Sequence, residues 1–178
     1  MTYYLTGKKN RYTRQLEALL QASDCQPAEA GGVDLFVYTI CPEPCQRDDW
    51  EVLCSNYQET AVGLLREVHD ALPRMQEGKK RLCFLTSTRS SVNLTTETQG
   101  WEKSILAACN MAIATLFNRL NGEGFTFRVF AAEDFETEDP SYALSYFLAD
   151  RSLETESARH SDENRLIMRN RAEQEIPW

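Results

Sequence analysis

The sequence lacks an excess of positive charge. Its 178 residues carry 27 acidic and 19 basic side chains, which gives a formal net charge of -8 and a pI near 4.9. Nucleic acids and anionic membranes attract basic surfaces, so this balance argues against either as the main partner. We therefore expect no nucleic-acid partner and no membrane partner.

The sequence also lacks a long apolar run. A membrane-spanning helix needs about 20 consecutive apolar residues, and no stretch of the chain approaches that length. The first residues, Met1 to Leu5, open directly into a strand pattern without the plan of a signal peptide. We expect a cytoplasmic protein with one domain over 1–150, followed by a polar C-terminal extension over 151–178.

Residues that bind metals are few and scattered. The chain has two histidines, His69 and His160, which lie far apart in the sequence. Cys41 and Cys45 could form half of a metal site, but no second pair of cysteines or histidines accompanies them. We therefore expect no metal.

Short apolar runs alternate with helical patterns along most of the chain. The strand-like runs lie at 2–5, 33–38, 81–85 and 125–132. Apolar residues recur at helical spacing over about 11–22, 49–76, 101–120 and 141–149. The apolar cluster at 166–168 fits either an edge strand or a docked helical turn. This alternation predicts a parallel sheet with right-handed crossovers.

The element order, together with a series of partial motifs, resembles a short-chain dehydrogenase/reductase with a shortened N-terminal half. The stretch 6–13 stands in the place of the family's glycine-rich cofactor loop, TGxxxGxG, and keeps only its first glycine, Gly7. The resemblance implies a reduced, Rossmann-like α/β fold. Its sheet would keep the family's strands in the order 1-4-5-6, with room for a seventh strand at the edge.

Two catalytic positions of that family are retained and two are replaced. Asn56 falls on the family's catalytic asparagine, and Ser87 falls on its catalytic serine. The tyrosine and lysine of the family's YxxxK motif fall on Trp101 and Ile105. An indole N–H can donate a hydrogen bond but cannot exchange a proton near neutral pH, and isoleucine carries no charge. The resemblance therefore implies an active site without its acid and its lysine.

The cofactor side of the resemblance is reduced as well. Arg11 and Thr13 replace the later glycines of the loop, and a linker at 23–32 replaces two strand–helix units. In the family those glycines let the backbone approach the cofactor pyrophosphate, and those units build the adenosine half of the site. We expect no cofactor. The main hypothesis is a non-catalytic, short-chain dehydrogenase-like protein, not an enzyme, that acts by association.

The two longest helical patterns predict a partner surface. In the family the corresponding helices pair with their symmetry mates, and here the stretches 49–76 and 101–120 are apolar on more than the stripe that would face a sheet. We expect a dimer through these helices, either with a second copy or with an intact short-chain dehydrogenase.

Two other classes of function stay open. A cleft near Tyr38, Ser87 and Trp101 could bind or sense a small molecule. Alternatively, the chain is an oxidoreductase with a non-standard active site, and only then would it hold NAD(P). Each candidate residue also has a structural explanation: Ser87 as a strand-end hydroxyl, Asn56 as a backbone bridge and Trp101 as a core or interface anchor.

Overall fold

Strands and helices alternate along the chain in the computed structural model, which describes residues 1–29, 31–44, 49–75, 79–94, 100–149 and 165–178. The strands are β1 (Thr2–Gly7), β2 (Gln26–Pro27), β3 (Leu35–Thr39), β4 (Arg81–Ser87), β5 (Thr126–Ala132), β6 (Met168–Arg169) and β7 (Glu175–Ile176). The helices are α1 (Arg11–Ala22), α2 (Trp50–Asn56), α3 (Gly63–Ala71), α4 (Gly100–Leu120) and α5 (Ser141–Leu148). A π-helical segment, Tyr57–Val62, joins α2 to α3, and short 3-10 turns lie at Leu72–Met75, Thr88–Ser90 and Asn121–Glu123.

The strands form one seven-stranded sheet in the order β2-β1-β3-β4-β5-β6-β7. Neighbours from β2 to β6 are parallel, and β7 pairs antiparallel with β6. The predicted Rossmann-like α/β fold is therefore confirmed. Strands β1, β3, β4 and β5 stand in the order predicted as 1-4-5-6, and β6 adds the strand expected at the edge.

The two sides of the sheet contain strands that the sequence pattern did not predict unambiguously, β2 and β6. Strand β2 lies within the predicted linker, and it is held by bonds from Gln26 N to Met1 O at 2.9 Å and from Ala28 N to Tyr3 O at 2.8 Å. Both of its residues are exposed, so no alternation of apolar and polar residues could reveal it. Of the two forms left open for 166–168, the strand is the one observed, as β6.

The last part of the chain returns to the sheet. Strands β6 and β7 both come from the stretch predicted as a polar extension, and the buried residues Met168 and Ile176 join the core there. Residues 150–164 lie outside the described residues. The predicted boundary at residue 150 stays a prediction.

Each face of the sheet has its own helical layer. Helices α1 and α5 cover one face, where Leu16 and Phe147 belong to the same buried cluster as Leu35. Helices α3 and α4 cover the other face, in a cluster that includes Phe36 and Ile113. The central strands are thus buried on both faces, as is typical of parallel sheets. None of the helices in the described ranges is long and apolar enough to cross a membrane.

The helix predicted over 49–76 is not continuous. It begins as expected, because the carboxylate of Asp49 accepts a hydrogen bond from Val52 N at 3.1 Å and caps α2. After the seven residues of α2 the backbone changes to π-helical hydrogen bonding at Tyr57–Val62 and then returns to α-helix in α3. The segment closes in a 3-10 turn that contains Pro73, and Gln76 lies outside the described residues.

Candidate functional site

A cavity opens at the carboxyl ends of β1 and β3. The chain leaves β1 through α1 on one face of the sheet, and it leaves β3 through α2 and α3 on the other face. The strand order reverses between these two strands, which is the point where open α/β sheets bind ligands. The cavity has a volume of about 210 Å³ and reaches from the end of β1 (6–8) and the end of β3 (38–39) to the helical segment between Asn56 and Glu67. We call it the edge cavity.

Gly7 brings the ends of β1 and β3 together. Its φ is +90°, a conformation that favours glycine, and a Cβ at this position would lie 2.5 Å from the carbonyl oxygen of Thr39 and 2.8 Å from its nitrogen. A side chain cannot occupy that space. The one glycine retained from the family's loop therefore has a packing role between two strand ends.

Thr39 contributes a buried hydroxyl without a partner. The residue is 1% exposed, lines the edge cavity, and its Oγ1 has no hydrogen-bond partner among the described residues. Thr39 follows Val37 by two residues on β3, so its side chain lies on the α1 face, beneath the turn that leads from β1 into α1. A buried hydroxyl without a bond is costly, and a polar ligand atom or a water molecule at this position would satisfy it.

The turn into α1 ends in a capping box instead of a glycine-rich loop. The amide oxygen of Asn10 accepts from Thr13 N at 2.9 Å, and Thr13 Oγ1 accepts from Asn10 N at 2.8 Å. The guanidinium of Arg11 donates to the carbonyl of Glu136, which links this turn to the loop after β5. Side chains therefore order the turn, and the positive end of the helix dipole still points at the edge.

Charges of both signs surround the edge cavity. Lys8 forms an ion pair with Glu43, and the hydrogen bond between them raises the pKa of Lys8 and lowers the pKa of Glu43. On the opposite wall, the carboxylate of Glu67 accepts from the hydroxyl of Tyr4 at 2.8 Å and from that of Thr6 at 3.3 Å. The walls thus offer both donors and acceptors to a polar ligand.

Asn56 is brought to the edge cavity, where it bridges the backbone. Its amide oxygen accepts from Glu43 N at 3.0 Å, and its amide nitrogen donates to Glu43 O at 3.0 Å. Asn56 is 4% exposed. The pair of bonds holds the loop after β3 against the end of α2, which agrees with the structural explanation of this residue.

Tyr38 also reaches the edge cavity, through its hydroxyl. The ring is buried in the core between β3 and α3, and the hydroxyl donates toward the carbonyl oxygens of Glu59 and Thr60, at 3.1 Å each. Burial raises the pKa of the phenol, so it stays protonated at neutral pH. Tyr38 was predicted as a cleft residue, and the structure places it in the wall of the edge cavity.

Ser87 and the two replaced positions lie apart from that cavity. Ser87 ends β4 half-buried, and its hydroxyl accepts from Arg89 N at 3.2 Å. Trp101 is half-buried at the start of α4, with its ring edge to face against Trp50 at a centroid distance of 5.1 Å. Ile105 is fully buried. The described lining of the edge cavity thus contains Tyr38 but neither Ser87 nor Trp101, and the predicted joint cleft of these three residues stays a prediction.

Comparisons with known proteins bear on the fold. No protein-family model matches the sequence, and no curated protein does. A short-chain alcohol dehydrogenase from Burkholderia multivorans superposes with a TM-score of 0.73 at 11% identity, over 99% of each chain. A short-chain dehydrogenase/reductase from the same organism, solved with bound NADP, gives 0.71 at 9% identity over 99% of this chain and 98% of that one. A carbonyl reductase from Pseudomonas aeruginosa gives 0.71 at 12% identity over 100% of each chain.

The chain has the short-chain dehydrogenase/reductase fold. The resemblance predicted from the sequence is confirmed at this level. Since the identities are near one in ten, the comparisons establish the fold and the order of its elements along the chain.

The comparisons contradict three expectations. The main hypothesis, a non-catalytic protein that acts by association, is wrong, because the likeness extends over the whole chain and leads to reductases, among them structures with bound NADP. The expectations that the chain is not an enzyme and that it takes no cofactor are wrong for the same reason. Trp101 and Ile105 show in the sequence that two catalytic side chains are replaced. That the strand ends of a short-chain dehydrogenase/reductase fold are kept and meet at a polar cavity is visible only in the folded chain.

Sequence reasoning missed several residues of this cavity. Lys8, Cys41 and Glu43 all line it, and each follows the end of a strand by a few residues. That position is a usable signal, because the carboxyl ends of parallel strands gather at one edge of the sheet. Glu59 gives no such signal, since it reaches the cavity only through the π-helical segment. Of the pair considered as half a metal site, Cys41 is a free thiol and Cys45 lies outside the described residues. No cluster of metal-binding side chains occurs in the described part of the chain.

Proposed function

We propose that the chain is an oxidoreductase that uses a nicotinamide dinucleotide and a carbonyl or alcohol substrate at a non-standard active site. The observation that carries this proposal is the edge cavity, which lies where the strand order reverses between β1 and β3. The full-length likeness to reductases, one of which is solved with NADP in place, supports the choice of cofactor.

The residues at this edge fit part of a dinucleotide. The buried hydroxyl of Thr39 lacks a partner among the described residues, Lys8 supplies a cation, and the N-terminal end of α1 points to the same edge. The cavity of about 210 Å³ is smaller than typical ligand pockets of about 300–1,000 Å³. We infer that it takes one ribose or nicotinamide unit while the rest of the molecule lies along the open edge.

The chain's own groups would orient the substrate but supply no strong acid at the replaced positions. The bound cofactor would supply or accept the hydride. On the wall of the edge cavity, the Lys8 ammonium and the Thr6 hydroxyl can each donate a hydrogen bond to a substrate oxygen. Ile105 is buried and carries no charge. The proton would come from solvent, and the loss of a general acid predicts turnover about 10²–10⁴-fold slower than with one.

Calorimetry with NADPH, NADP and NADH tests the cofactor part directly. We expect saturable binding that weakens in Thr39→Val, which removes the hydroxyl with little change of shape, and in Lys8→Gln. Tyr142→Phe, which alters only an exposed side chain on α5, is the matched control. If the native chain binds none of the three cofactors, the proposal is wrong. Loss of NADPH absorbance with a panel of aldehydes and ketones then tests turnover.

We also propose that the enzyme assembles through the outer faces of the π-helical segment, α3 and α4. Large apolar side chains are exposed on this surface: Val62 is 56% exposed, Leu65 43% and Met111 68%. Burying such residues against another copy, or against an intact relative, would remove them from water. Light scattering should give a mass above that of one chain, and Val62→Ser with Met111→Ser should lower it. Tyr142→Ser should not. A single-chain mass for the native protein that no intact relative changes would contradict this assembly.

A further inference from the structure

The hydroxyl of Tyr38 lies directly beneath the π-helical segment Tyr57–Val62. It is 3.1 Å from the carbonyl oxygens of both Glu59 and Thr60, and Tyr38 itself is 2% exposed. In a π-helix the hydrogen bonds span one residue more than in an α-helix, and such segments are rare. A buried phenol that donates to two carbonyls of the segment adds bonds that favour this backbone form.

Gly63 makes room for that hydroxyl. It is the first residue of α3, and a Cβ built on it would lie 3.0 Å from the Tyr38 oxygen, which is closer than side-chain atoms normally approach. The next contact, with Gln58 O at 3.6 Å, is ordinary. Tyr38 and Gly63, from a strand and a helix far apart in sequence, are therefore matched in size at this point.

The π-helical segment forms part of the wall of the edge cavity. Glu59 and Thr60 lie within it, Gly63 follows it directly, and all three line the cavity. The two carbonyls next to the Tyr38 hydroxyl belong to Glu59 and Thr60, so this hydroxyl bonds the backbone of the wall itself.

We propose that Tyr38 is a positioning residue of the edge cavity. Its hydroxyl holds the backbone of Glu59 and Thr60 in the π-helical segment, and so fixes where these two residues line the ligand space. The proposal deepens the proposed function, on which it rests only where NADPH is used as the probe. It assigns Tyr38 no contact with reacting atoms.

A mutant cycle tests the positioning without any ligand. Tyr38→Phe should raise amide hydrogen exchange over residues 57–66 by about tenfold or more, because two carbonyls lose their donor. Tyr3→Phe is the matched control, since that buried tyrosine is also hydrogen-bonded, to Gln21 at 3.2 Å, on the other face. Gly63→Ala should raise exchange in the native chain but lower it in Tyr38→Phe, where the clash is gone and alanine favours helix. Additive effects of the two changes, or unchanged exchange in Tyr38→Phe, would overturn the proposal.

NADPH binding then separates this inference from the proposed function. Calorimetry should show at least a fivefold weaker affinity for Tyr38→Phe, about 1 kcal/mol, and an unchanged affinity for Tyr3→Phe at a similar loss of thermal stability. Equal affinities of Tyr38→Phe and the native chain would overturn the positioning role. If the native chain binds none of NADPH, NADP and NADH, the proposed function fails, and the exchange cycle alone decides the role of Tyr38.

Discussion

The two sides of the carboxyl edge present different kinds of residue. At the ends of β1 and β3, the edge cavity has polar walls, with Lys8 and Glu43 among its groups. At the end of β4 and the start of α4, Trp101 lies edge to face against Trp50, and Ile105 is fully buried. The replaced catalytic positions serve packing, while the polar groups gather around β1 and β3. A search for the chemistry of this chain therefore belongs on the β1–β3 side.

The largest expected effect comes from adding a side chain at Gly7, where β1 and β3 are in close contact. Gly7→Ala would force a Cβ to within 2.5 Å of a backbone oxygen at a residue whose φ is +90°. Neither backbone nor methyl can move away cheaply, so we expect a loss of about 3 kcal/mol or more in the free energy of unfolding. Urea denaturation measures it.

Gly31→Ala is the control for that experiment, because a Cβ there meets nothing within 4 Å. It should change the free energy of unfolding by no more than about 0.5 kcal/mol. Equal stabilities of the two variants would show that the ends of β1 and β3 are not in close contact. The edge cavity could then not have the lining described for it at these strand ends.

Restoring the lysine on the other side tests whether that side is now core. Ile105→Lys would place an ammonium in a fully buried apolar cluster between α4 and the sheet. We expect a loss of about 3 kcal/mol or more, since an unpaired buried charge is costly. Ile105→Leu should cost less than about 1.5 kcal/mol. A stable lysine variant, especially one that gains reductase activity with Trp101→Tyr, would show instead that a working site persists beside β4.

Asn56 allows a smaller test on the cavity side. Asn56→Ala removes the bonds that hold the Glu43 backbone on both its nitrogen and its oxygen. Because that loop is partly open to water, we expect a loss of about 1–2 kcal/mol, together with faster proteolysis within 41–44. Asn93→Ala is the comparison, as this exposed amide donates one bond, to Trp178 O at 2.9 Å. Equal effects of the two changes would remove the structural role given to Asn56.

The sequence predicted the sheet well because its strands are long apolar runs. Strands β3, β4 and β5 are buried over nearly their whole length, while β1 has one buried residue, Tyr3, among half-buried ones. The alternation with helices predicts their parallel order. Strand β2 was not predicted, because its two residues are both exposed and show no alternation of apolar and polar side chains. The π-helical segment was not predicted for a different reason. The Tyr38 hydroxyl that bonds its carbonyls lies about 20 residues away in sequence, and helical periodicity carries no information on that contact.

The candidate site was less predictable than the fold. Residues Asn56 and Ser87 were found by their place in motifs, but a motif position does not say which bonds a side chain makes. Asn56 proved to bridge the Glu43 backbone, and the hydroxyl of Ser87 accepts from Arg89 N. The polar residues that line the edge cavity come from loops that follow strands. Their meeting depends on the sheet order and so becomes visible only in three dimensions. The predicted cytoplasmic location stays a prediction.

The smallest effect concerns a buried carboxyl on the α1 face of the same edge. Glu138 is 5% exposed, and one of its oxygens accepts from Glu133 N at 2.8 Å. Its other oxygen, like the hydroxyl of the fully buried Tyr12, has no partner among the described residues. Burial raises the pKa of Glu138, and the nearby charge of Glu133 raises it further. This face of the edge thus holds a carboxyl that folding disfavours in its charged form.

That shift has a defined sign in solution. The pKa of Glu138 in the folded chain lies above the value of about 4.3 in an unfolded chain, so the protonated carboxyl stabilises the fold. The contribution is complete below about pH 4.3 and is lost as the pH rises through the raised pKa. Glu138→Gln keeps the acceptor for Glu133 N and removes the charge, so it should stabilise the chain at neutral pH by about 1 kcal/mol and flatten this part of the pH profile. Glu136→Gln, an exposed change in the same loop, should leave the profile as it is. A loss of stability in Glu138→Gln at neutral pH would mean that the charged carboxyl has a partner in the folded chain. The polar groups on the α1 face would then be hydrogen-bonded, as Ser87 is at the end of β4.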